Sequence, residues 1–112
     1  MTRAITPKTV LRAIDRKVPW YYTDINGKIK GTTMPFKKYC KIMIDEKVSY
    51  NERTIRYHWN KLKEYGFCIE IYDEEEGTLI AEFVPSLIAK ELGIVLTNWV
   101  PPSMRFKSRW PQ

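Results

Sequence analysis

The stretch from Asn51 to Val84 constrains this chain most, because its hydrophobic period switches from helical to extended across one glycine. In NERTIRYHWNKLKEYG, Ile55, Trp59 and Leu62 recur at spacings of four and three, which predicts a helix over 51–65 with one inward stripe. Two starts fit equally: a capping box of Ser49 with Glu52, or Asn51 as a cap by itself. Gly66 stands where a left-handed residue ends a helix. Beyond it, FCIEIY (67–72) and TLIAEFV (78–84) alternate apolar and polar residues around DEEEG (73–77), the pattern of an antiparallel hairpin.

Upstream, Thr6-Pro7 opens a first helix whose apolar face is Val10, Leu11, Ile14 and Val18. In WYYTDINGKIKG (20–31), Asn26-Gly27 signals a type I′ hairpin, with Tyr22, Ile25 and Ile29 in short strands. Thr32-Thr33 then cap a second helix with Pro35 in its first turn and Phe36, Tyr39, Cys40 and Met43 on one face. Downstream, Pro85-Ser86 starts a short helix stopped by Gly93, IVLTNWV (94–100) reads as a last strand, and the tail PPSMRFKSRWPQ reads as loose. With 112 residues this is one domain over 1–93 and a partly flexible extension over 94–112. The expected core contains Val10, Ile14, Phe36, Met43, Ile55, Trp59, Leu62 and Ile69.

Charge is regional. Residues 1–63 carry 15 Lys/Arg against 5 Asp/Glu, whereas residues 64–91 carry 1 Lys against 8 Asp/Glu. Such a field orients a polyanion. The polar start MTRAITPKTV has no export signal, and LGIVLTNWV is too short to span a bilayer, so a cytoplasmic protein without membrane attachment is expected. Cys40 and Cys68 have neither CxxC spacing nor a disulfide framework, and reduced thiols are the favoured reading. Phosphate-binding loops, nucleophile elbows and zinc spacings are missing, so neither an enzyme, a cofactor nor a metal is expected.

Helix, short β segment, helix, turn, helix and β-hairpin is an order that resembles the winged helix-turn-helix family of DNA-binding proteins. The resemblance is closest over TIRYHWNKLKEYGFCIEI (54–71), where Thr54-Ile55, Trp59, Leu62, Gly66-Phe67 and Ile69 stand at the places of the family's recognition helix and wing. It spans roughly residues 6–84 and implies an α+β fold of three helices and a β-hairpin wing, here with a short C-terminal helix and tail. It also implies sequence-specific binding of double-stranded DNA, as in a transcriptional regulator, by a monomer or homodimer. Independently, the inward stripe leaves Arg53, Arg56, Tyr57 and Asn60 outward to contact bases, since arginine reads guanine and asparagine adenine. Lys37, Lys38, Lys41, Lys61 and Lys63 are the expected phosphate contacts, and the lone His58 reads as a packing residue or a phosphate donor. Asp73, Glu74, Glu75 and Glu76 at the hairpin tip would be repelled by phosphate and are candidates to dock another protein, as is the C-terminal segment. Two other readings stand beside the regulator: the winged-helix module of a plasmid or phage type replication initiator, and a winged helix used for protein contacts.

Overall fold

The structure, a computed structural model, describes residues 4–97. Helix α1 (Pro7–Lys17) begins with a reciprocal cap in which Thr6 and Thr9 exchange side-chain and backbone bonds, and Pro7 sits at the first helical position. Strands β1 (Tyr21–Thr23), β2 (Ile29–Gly31) and β3 (Thr33–Pro35) follow. Then come helices α2 (Phe36–Asp45) and α3 (Glu52–Glu64), strands β4 (Cys68–Asp73) and β5 (Thr78–Phe83), and helix α4 (Pro85–Leu92). The described residues thus form an α+β fold of four helices and two small antiparallel sheets, β1-β2 and β3-β5-β4.

The apolar stripes of all four helices meet the sheet in one core. Val10, Leu11 and Ile14 of α1, Tyr39 and Met43 of α2, Ile55, Trp59 and Leu62 of α3 and Ile88 of α4 are all buried there. Met34, Ala81, Phe83 and Cys68 close it from one face of the three-stranded sheet. Trp20 is buried at the edge, where its indole N–H donates to Asp15 Oδ1 at 2.7 Å. The two sheets meet where Thr32 N–H donates to Trp20 C=O and Phe83 N–H donates to Thr32 C=O, both at 3.0 Å. Gly31 lies so close to β5 that a Cβ there would land on the Phe83 carbonyl oxygen.

Several expectations are corrected. Thr32 and Thr33 do not cap α2. Thr33–Pro35 is extended because it pairs with Glu82–Ile80 of β5, and α2 starts from Pro35 without a side-chain cap. Pro35, which lacks an N–H, is tolerated at the end of an edge strand. The turn after β1 is not type I′: among the described residues Lys47 alone is a non-glycine with positive φ, so Asn26 is not left-handed. Instead Asp24 Oδ1 accepts from Asn26 N–H and Lys28 N–H, and Gly27 alone takes the left-handed position. Ile25 is consequently at the loop tip and 98% exposed. Of the two α3 starts, Asn51 is the cap, accepting from Thr54 N–H at 3.1 Å, while Ser49 Oγ accepts from Asn51 N–H.

The core list needs two changes. Phe36 is half-buried, packed against the core rather than inside it, and Ile69 is 56% exposed. Register decides the second: Cys68 pairs with Phe83, both facing the core, so Ile69 and Ile71 take the opposite face. Residues 94–97 form no strand, and the rest of the expected last strand and the tail lie outside the described residues.

Candidate nucleic-acid interface

The period of α3 separates structure from surface. Ile55, Trp59 and Leu62 are buried, and Arg53, Arg56, Tyr57 and Asn60 are exposed on the opposite side. Inside the pair of helices, Tyr39 donates its hydroxyl to Ile55 C=O at 2.9 Å, fixing α2 against α3. Burial holds the Tyr39 phenol well above its ordinary pKa, so it remains a donor at any physiological pH. The amphipathic sequence of α3 therefore becomes a rigidly mounted polar face.

The four outward residues differ in how free they are. No ion pair involves Arg53 among the described residues. Arg56 reaches Glu52 at 3.3 Å and lies over the Phe36 ring at 4.5 Å from its centroid. Arg56 thus lines the groove between α2 and α3. An exposed i,i+4 pair contributes only about 0.3–0.5 kcal/mol, so Glu52 does not commit Arg56.

The lysines divide similarly. Lys37 and Lys38, in the first turn of α2, make no ion pair among the described residues. Lys41 pairs with Asp45 at 3.4 Å with both side chains exposed, so it too can be recruited. Lys61 bonds Glu64 at 2.9 Å and lies near the rings of Tyr57 and Tyr65; the Glu64 bond raises its pKa. Lys63 is the least available, because it bridges from α3 to Glu70 on β4 and both side chains are partly covered. Of five expected phosphate contacts, three carry an acidic partner already.

Four neighbours of this face were not read from the sequence. Tyr50 and Ile44 are exposed beside Lys37, Lys41 and Arg56 in the groove between α2 and α3. Tyr72 and Thr78 flank a second groove, between α3 and the hairpin, with Asn60 and Lys63. Only the tertiary crossing of α2, α3 and β4–β5 brings them together; an exposed aromatic beside a basic helix was the one signal. Tip residue Glu76 also lines the first groove, so the acidic turn is not simply held away from the basic face. Asp73 has an internal task, accepting from Glu75 N–H at 3.0 Å to shape that turn.

Cys40 is half-buried and Cys68 buried, and both are free thiols. Burial raises both, that of Cys68 to about 11, so neither is a ready nucleophile. Among the described residues no group of three or more His, Cys, Asp or Glu is placed to hold a metal ion. Nor is any helix there long and apolar enough to cross a membrane. No protein-family model, curated protein or solved structure matches the chain.

His58 sits half-buried on the flank of α3 with its ring edge-on to Tyr57 at 5.0 Å. Desolvation lowers its pKa from the ordinary 6.5. A depressed histidine leaves the fold binding fewer protons than the unfolded chain. Its contribution to stability is therefore complete above pH 6.5 and is lost as pH falls through the folded value. The C2 proton of this single histidine, followed by NMR, is expected to titrate below 6.5. A midpoint above 6.5 would show instead that a carboxylate or phosphate holds the ring charged.

Proposed function

We propose that this chain is a winged helix-turn-helix protein that binds double-stranded DNA sequence-specifically, with α3 in the major groove and β4–β5 as the wing. One observation carries the reading: Arg53, Arg56, Tyr57 and Asn60 share the exposed side of a helix whose other side is fixed in the core. A helix so mounted is narrow enough for the groove, and its guanidinium and amide groups match base edges. Lys37, Lys38 and Lys41 on the adjacent helix supply phosphate contacts that set its register on the duplex. Regulation of transcription is the role such a module fits best.

The experiment is titration of the chain against a random-sequence duplex pool at several salt concentrations. Log K is expected to fall against log salt with a slope of roughly −0.9 per phosphate contact. Replacing Lys37 and Lys38 together by alanine is expected to flatten that slope by about two units while weakening all sequences alike. Absence of binding even at low salt would remove DNA as the partner.

A further inference from the structure

The groove between α2 and α3 holds a cavity of about 1120 Å³, the scale of a small-molecule site. Its walls are α2, the turn before α3, the start of α3 and the end of the β4–β5 hairpin. Buried Ile55 and half-buried Phe36 and Cys40 make part of the lining apolar. Ile44 and Tyr50 join them and are still 42% and 69% exposed. Positive charge gathers at one end. Lys37 and Lys38 line the cavity from the first turn of α2, where that helix starts without a side-chain cap. Neither makes an ion pair among the described residues. Ile44 lies two turns further along α2, roughly 10 Å at the helical rise of about 1.5 Å per residue. Lys41 and Arg56 also line the space, each in an exposed pair that holds it weakly. Two carboxylates, Glu52 and Glu76, share the lining.

We propose that this cavity binds a small organic anion with one acidic head and an aromatic or branched apolar body. The head lies on Lys37 and Lys38, and the body lies against Phe36, Ile44 and Tyr50. The mixed lining selects that chemistry. A neutral apolar molecule would leave two unpaired ammonium groups beside it without a partner. An acidic peptide or a nucleic-acid strand laid into the cavity would bring further negative charges against Glu52 and Glu76. A single head meets the lysines and avoids both carboxylates. The binding itself does not depend on DNA. Where DNA is held through Lys37 and Lys38, as proposed above, ligand and backbone phosphate compete for the same two side chains, and the ligand acts as an effector that releases DNA. That consequence alone rests on the DNA reading.

Titration of the 112-residue chain with anilinonaphthalene sulfonate, an aromatic body with one anionic head, tests the proposal. Probe fluorescence is expected to saturate at one molecule per chain, with a dissociation constant of about 10–100 µM. Amide NMR shifts should be confined to α2, Tyr50 and the start of α3. Joint replacement Lys37→Ala and Lys38→Ala, at exposed sites that leave the circular dichroism spectrum unchanged, should weaken the sulfonate at least tenfold. The uncharged analogue phenylnaphthylamine should bind the unaltered chain more weakly than the sulfonate does and should not distinguish it from the double variant. Ile44→Glu, which sets a carboxylate beside the apolar body, should weaken the sulfonate as strongly. Fluorescence that never saturates, shifts scattered over the surface, or equal affinity of the double variant for the sulfonate would overturn the proposal. So would a peptide of alternating glutamate and leucine that shifts the same amides and binds more tightly than the sulfonate, which would assign the cavity to an acidic peptide.

Discussion

Trp59→Ala is expected to destabilise the fold by about 3–5 kcal/mol. Trp59 is only 7% exposed although it is the largest side chain on α3. Its ring meets Phe36 edge-on at 5.2 Å and Tyr39 at 4.8 Å, so it joins α2 to α3 through an aromatic cluster. Truncation removes both the buried area and the ring contacts, and leaves a cavity that neighbours held by the Tyr39–Ile55 bond cannot fill. Because Arg53 and Asn60 ride on the same helix, their presentation should suffer as well. Chemical denaturation measures the loss. A value under about 1 kcal/mol would mean that Trp59 is exposed in solution and free to stack on another ring.

Gly31→Ala should be nearly as damaging, at about 3 kcal/mol, the upper end of overpacking costs. The added methyl meets the Phe83 carbonyl, which is backbone and cannot rotate away. Phe83 is also tied through its N–H to Thr32 C=O, so relief requires the two sheets to separate. Gly27→Ala is the comparison. Gly27 has φ +81° with nothing near its Cβ position, so it should cost only about 1–2 kcal/mol of left-handed strain. Equal losses for the two variants would show that crowding at Gly31 is not what matters.

What the sequence revealed follows the range of the interactions involved. Helix α1, helix α3, the β4–β5 hairpin and helix α4 are written locally, in Thr6-Pro7, in the 55–59–62 stripe, and in Gly66, Gly77 and Gly93. Strand β3 is not, because Thr33–Pro35 is extended only by virtue of β5, almost fifty residues on. Ile69 misled for the same reason. Both alternating sets of FCIEIY are plausible inner faces, and pairing of Cys68 with Phe83 chooses the less hydrophobic one. At 24–28 the Asn-Gly signal placed the turn correctly but not its type, since the Asp24 carboxylate imposes a longer loop. The outward face of α3 was legible because it follows from helix period alone. The grooves beside it, with Tyr50, Tyr72 and Glu76, exist only after three elements cross.

The most direct test of DNA reading by α3 is selection of bound duplexes from a random pool by the unaltered chain, by Arg53→Ala and by Asn60→Ala. Neither residue has an ion-pair or buried role among the described residues, so both variants should fold normally. The unaltered chain is expected to enrich a defined site. Each variant should lose preference at one position of that site, at a cost of about 1–3 kcal/mol for its best sequence, while the other positions are kept. Enrichment of the same site with undiminished preference by both variants, or no enriched site at all, would contradict the assignment of α3 as the element that reads bases.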